Sequence, residues 1–96
     1  MTRVIFALAV LVLAAIGGGV AYQSAAQHNY STLLTRGDTA LRDDQTFNAI
    51  EAYSGAIALR PDSMLAFLRR GQSYQRRGDR DDLEAAARDF RTAARL

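Results

Sequence analysis

The chain predicts an all-α fold: an N-terminal transmembrane helix followed by two helix-turn-helix repeats. Three observations predict it. Gly37 and Gly71 lie 34 residues apart, each after an arginine (Arg36, Arg70), and Leu33 and Phe67 share that spacing. Ala49, Tyr53 and Ala56 recur as Ala86, Phe90 and Ala93, offset by 37, so three residues are inserted within the second copy. A fixed period of this size marks stacked repeats. No segment alternates with period two, whereas apolar residues return at helical spacing.

The N-terminal segment comes first. Val4 to Tyr22 is uncharged and almost wholly apolar. As a helix its 19 residues span about 28 Å, close to a bilayer core. One reading is an uncleaved single-pass anchor. The other is a secretory signal peptide, with Gly17-Gly18-Gly19 ending the apolar core and small residues at Ser24-Ala25-Ala26 offering a cleavage site. A buried helix of a soluble domain is a third, weaker reading. The uncharged stretch continues to Thr35, which favours the anchor. The expected division is residues 1–25 as anchor or signal, 26–29 as linker, and 30–96 as two repeats (30–63 and 64–96). Arg3 and the amino terminus mark the cytoplasmic side, because positive charge stays inside, and the body is then exported. Tyr22 suits the headgroup level.

Four helices follow. The first is expected over about Tyr30–Arg42, with Tyr30, Leu33, Leu34, Gly37 and Leu41 at helical spacing, and Asp43-Asp44 breaks it. The second runs from about Thr46 to Leu59, with Phe47, Ile50, Tyr53, Ala56 and Ile57 on one stripe. Pro61 ends it, since the residue before proline disfavours helix. The third starts near Asp62 or Ser63, either of which can cap it, and stops at Gly78. The fourth starts after Asp81-Asp82, with Glu84 in its first turn, where acids suit the helix dipole. Gly37 and Gly71 fall inside helices, where glycine costs about 1 kcal/mol relative to alanine. The expected reason is close approach of the partner helix at Ala49 and Ala86, with Tyr53 and Phe90 as knobs.

This small–large–small order resembles the tetratricopeptide repeat family. Gly37, Ala40, Ala49, Tyr53, Ala56 and the terminal Pro61 carry the first match. Gly71, Tyr74, Gly78-Asp79, Ala86, Phe90 and Ala93 carry a closer second one. The resemblance covers about Tyr30–Leu96. Arg36 and Arg70 stand where the family has a bulky aliphatic, and Ala40 stands where it has an aromatic. The resemblance implies a protein-interaction scaffold whose first helices line a groove. The implied groove residues are Ser31, Leu34, Asp38, Leu41 and Arg42, then Leu65, Leu68, Gln72, Gln75 and Arg76. Those expected to bind a partner are Asp38, Leu41, Arg42, Leu68, Gln72, Gln75, Arg76 and Phe90. Some members clamp a C-terminal carboxylate with Lys, Asn and Arg; this groove has no Lys and no Asn, so that clamp is not expected.

Composition excludes more than it offers. Without cysteine there is no disulfide and no thiolate metal site. A net charge of +2 is too small to indicate nucleic acid. All basic residues are arginine. Arg69, Arg70, Arg76, Arg77 and Arg80 cluster on the third helix and just after it. They read as a solvated face balanced by nearby acids, or as a patch for an acidic protein or anionic lipid, especially through Arg69, Arg70, Arg76 and Arg77. Asp79, Asp81, Asp82 and Glu84 lack the full pattern of a calcium loop and read as caps. His28 has no partner for metal or catalysis. No nucleophile has a base beside it and there is no glycine-rich phosphate loop, so no enzyme activity, cofactor or metal is expected.

The leading expectation is a membrane-tethered interaction module, an accessory or scaffold subunit of a larger membrane protein complex. Its place would be the bacterial inner (cytoplasmic) membrane, N-terminus cytoplasmic and body periplasmic. The alternatives are a periplasmic-side assembly or maturation chaperone, as in membrane-anchored proteins of cytochrome c biogenesis, and a secreted soluble module after signal cleavage. Two repeats are few for a self-sufficient stack. The last helix, with Leu83, Ala86, Ala87, Phe90, Ala93 and Leu96, is expected to leave apolar surface for a partner or second copy.

Overall fold

Residues that cannot continue a helix stand where the chain reverses. The computed structural model describes residues 25–96, and these are all-α. Helix α1 covers residues 25–42, α2 Thr46–Leu59, α3 Met64–Arg77 and α4 Arg80–Arg95. The expected membrane segment, Val4–Tyr22, lies outside the described residues. Among the described residues no helix is long and apolar enough to cross a membrane.

Residues 26–29, expected as a linker, are helical and belong to α1. Ala25-Ala26-Gln27 are good helix formers, and no glycine or proline interrupts them before Gly37. The helix ends in a Schellman turn. Asp44 adopts a left-handed conformation (φ 60°). Its N–H donates to the Leu41 carbonyl at 3.1 Å, and that of Gln45 to Ala40 at 2.8 Å. Gly78 ends α3 with φ 77°, its N–H donating to the Tyr74 carbonyl. Asp44 and Gly78 are themselves 34 residues apart, so the period extends to the turns.

Ser63 caps α3, its Oγ accepting from the Ala66 N–H at 3.1 Å. The same hydroxyl lies 2.6 Å from the Tyr30 hydroxyl, which ties the cap to α1. The Arg60 guanidinium covers the Tyr30 ring at 4.7 Å. Helix α4 begins one turn earlier than expected, on a capping box between Asp79 and Asp82. Asp81 and Asp82 therefore occupy its first turn, and Glu84 lies beyond it.

The core is built from alanine and aromatic rings. Tyr30, Ala56 and Ala66 form one buried cluster, with Leu33, Leu34 and Ile57 against it. Ala40, Ala49 and Tyr53 form the other. The glycines fit this pattern differently from the expectation. A Cβ on Gly37 would lie 2.5 Å from the Tyr53 ring, and one on Gly71 would lie 2.7 Å from the Phe90 ring. The missing side chain therefore makes room for the aromatic knob rather than for Ala49 or Ala86. Full burial of Tyr53 contributes roughly 2–3 kcal/mol. Of the α4 residues expected to stay open, Ala86 and Ala93 are buried and Phe90 is half-buried. Leu83 remains 52% exposed and Leu96 54%.

Candidate interaction cleft

The first helices of the two hairpins, α1 and α3, leave a cleft between them. Asp38, Leu41, Arg42, Tyr53, Arg69 and Arg76 line it, and its volume is about 410 Å³. The short turns place α2 behind α1, so the Tyr53 ring passes over Gly37 and its hydroxyl reaches the cleft floor. There the Tyr53 hydroxyl donates to Asp38 Oδ1 at 2.6 Å. Arg69 Nη1 donates to the same oxygen at 2.6 Å. One carboxylate thus joins α1, α2 and α3. Burial pushes the Tyr53 phenol well above its ordinary range, and the hydrogen bond to the Asp38 anion adds to the shift. The phenol is therefore a fixed donor at any physiological pH.

Arg76 reaches across the cleft to donate to the Leu41 carbonyl in the last turn of α1. Arg42 is exposed at the same rim. Along α3 the exposed face continues through Leu65, Leu68, Gln72 and Gln75, with Leu68 36% exposed. Four of the expected partner-binding residues, Asp38, Leu41, Arg42 and Arg76, therefore share one cleft, and Leu68, Gln72 and Gln75 lie exposed on the adjoining α3 face. Phe90 is not part of it: its ring sits on Gly71 between α3 and α4. Arg69, expected as part of the arginine patch rather than of the groove, and Tyr53, expected as a packing knob, complete the cleft. Their signal was present in the repeat, because Tyr53 is the knob that faces the glycine one residue before Asp38.

The arginine cluster is redistributed by pairing. Arg70 makes a two-pronged ion pair with Asp89, both contacts 2.8 Å, and Nη1 also reaches Ser54 Oγ at 3.3 Å. Arg77 holds Asp82 in the same way, at 2.8 and 2.7 Å. Arg69 is paired with Asp38. Of the four arginines expected to contact an acidic protein or anionic lipid, Arg69, Arg70 and Arg77 are occupied within the fold, and Arg76 donates to a carbonyl. Asp89 explains why a charged residue can stand before Gly71: it satisfies that charge inside the α3–α4 seam. Among the described residues, no group of three or more His, Cys, Asp or Glu side chains could hold a metal ion.

A second open cleft, of about 480 Å³, lies on the far edge of the first hairpin and includes Leu33, Arg36, Ala40, Glu51 and Ala52. Arg36 is the counterpart of Arg70, but Ala52 stands in the position of Asp89, so its partner is missing from the first copy. Comparison with protein-family models, curated proteins and solved structures finds no match to the chain.

Proposed function

We propose that this chain is a membrane-tethered module of two tetratricopeptide-type repeats that receives a segment of a protein partner in the α1–α3 cleft. Its role is that of an accessory or scaffold subunit in a larger membrane protein complex. The observation that carries this reading is the cleft itself. Two first helices stand side by side, and their open face mixes exposed Leu65 and Leu68 with Gln72, Gln75 and Arg42. Its floor is fixed by the Tyr53–Asp38–Arg69 network, so the groove is preorganised rather than assembled on binding. Apolar positions give affinity there, and the amides and guanidiniums give orientation. The seam of glycine under an aromatic ring, present in both hairpins, supports the family resemblance.

The test uses the full chain purified in mild detergent. The Leu68→Asp and Gln72→Arg chains should fold normally, because both positions are exposed, yet lose at least about tenfold of their co-purifying partner, the effect of roughly 1.4 kcal/mol. If the native chain persists as a fully folded lone monomer with nothing bound at stoichiometric level, the reading fails.

A further inference from the structure

Helix α4 has as many acids as arginines in its sequence, but the fold sorts them. Arg80, Arg88, Arg91 and Arg95 stand against Asp81, Asp82, Glu84 and Asp89. Asp82 and Asp89 are buried and turned inward onto Arg77 and Arg70. The four arginines are all exposed, and none of them takes part in an ion pair among the described residues. At 3.6 residues per turn they fall within about 80° of helix circumference, with Glu84 the one acid among them. A stretch balanced in sequence thus becomes cationic on the surface.

Beside this stripe runs an apolar one. Leu83, Ala87 and Ala94 are exposed along it. Arginines alone would suit any anionic surface. Arginines alongside exposed leucine and alanine on one helix have the make-up of a helix that lies in a membrane interface, cations at the headgroups and apolar side chains just below. A second copy fits poorly, because α4 against α4 would set arginine on arginine.

We propose that the outer face of α4 lies on the anionic headgroups of the membrane that carries the chain. This rests on reading residues 4–22 as a membrane anchor.

The chain has no cysteine, so the Ala87→Cys chain can be labelled at a single position with an environment-sensitive dye. The full-length protein is reconstituted in vesicles of phosphatidylcholine alone or mixed with phosphatidylglycerol. The expected result is a blue-shifted emission in the mixed vesicles only, reversed by high salt. A label on the Gln72→Cys chain should not respond. Replacing Arg88, Arg91 and Arg95 by Gln, one after another, should lower the docked-to-free ratio roughly fivefold at each step. Circular dichroism checks that each variant remains folded. An Ala87 label that reads the same in both lipids overturns the proposal. So does one that responds to soluble polyglutamate but not to phosphatidylglycerol, which would assign the face to an acidic protein. Failure of the chain to float with vesicles of either composition would remove the anchor reading alone. Added phosphatidylglycerol vesicles would then still shift the Ala87 label if the α4 face binds anionic lipid, and no shift would overturn that too.

Discussion

The two hairpins share one packing device and secure it by different means. In each, an aromatic ring from the second helix occupies the space left by a glycine in the first: Tyr53 on Gly37, Phe90 on Gly71. The first hairpin then locks its ring with a hydroxyl. Tyr53 donates to Asp38, and Asp38 accepts from Arg69 of the second hairpin. The second hairpin has no hydroxyl there, and Gln72, the counterpart of Asp38, is exposed. Its lock is the Arg70–Asp89 ion pair beside the ring, with Ser54 of the first hairpin as an added acceptor. Tyr30–Ser63 and Arg76–Leu41 cross the same boundary. Polar bonds thus also cross from one hairpin to the other, which couples the pair rather than leaving two independent units.

The largest expected effect comes from filling the glycine pockets. Gly37→Ala should destabilise by about 1–3 kcal/mol from overpacking, even though alanine favours helix by about 1 kcal/mol. Gly71→Ala should cost less. Phe90 is half-buried and can swing outward, whereas the Tyr53 ring is fully buried and tied at its hydroxyl. Urea unfolding followed by circular dichroism measures both. If Gly71→Ala proves the costlier, the hydroxyl is not what confines the first ring.

Tyr53→Phe removes that difference directly and makes the first hairpin resemble the second. The loss should be about 1 kcal/mol, the net worth of one hydrogen bond, because Asp38 keeps Arg69 as a partner. The native phenol offers an independent check. Its value is raised, first by burial and then by Asp38, above the roughly 10 of an unfolded tyrosine. It therefore adds stability that is complete below about pH 10 and is lost as pH rises through the raised folded value. Alkaline titration at the phenolate absorbance should separate the native chain from Tyr53→Phe only well above about pH 10, where the native chain alone gains the Tyr53 phenolate. A difference between the two chains that is already complete near about pH 10 would remove the network from the account.

The second hairpin has an ion pair at its turn, Arg77–Asp82, and among the described residues the turn of the first has none. Asp82 is held below the usual carboxylate range, chiefly by Arg77, with a further contribution from the Asp79 N–H. A lowered carboxyl contributes stability above its unfolded value of about 3.9, and loses it as pH falls through the lower folded one. Asp82→Asn should therefore weaken the chain at neutral pH, modestly because Arg77 is partly exposed, and the gap to the native chain should close in acid. A gap that is constant with pH would mean the side chain acts through shape alone.

How much of this was legible follows from the range of each interaction. Local signals carried the turns at Pro61 and Gly78 and the Ser63 cap, because they depend on neighbours within one or two helical turns. The cleft residues Asp38, Leu41, Arg42 and Arg76 were implied by the resemblance to tetratricopeptide repeats, whose first helices line the groove. What the chain did not reveal was choice among equivalents. Arg70 could have met any of several acids, and only the packing of α4 puts Asp89, 19 residues away, in its fork. The start of α1 was misplaced because a shift toward polar residues after Tyr22 resembles a linker, although nothing in Ala25–Asn29 resists helix.

The smallest effect lies in the turns, where the two copies solve one backbone problem with different residues. Asp44 and Gly78 occupy corresponding positions and both have positive φ. A side chain is strained there by roughly 1 kcal/mol or slightly more, and aspartate tolerates it better than most. Asp44→Gly should stabilise the first hairpin by a few tenths of a kcal/mol, the relief of strain being partly offset by the greater freedom of glycine in the unfolded chain. Gly78→Ala should move the other way by up to about 1 kcal/mol. The pair is informative because the outcomes should be opposite in sign at matched positions. Both are read from the urea midpoint. If Asp44→Gly destabilises instead, the aspartate carboxylate contributes something at that turn that the matching backbone does not require, and the equivalence of the two turns would be conformational only.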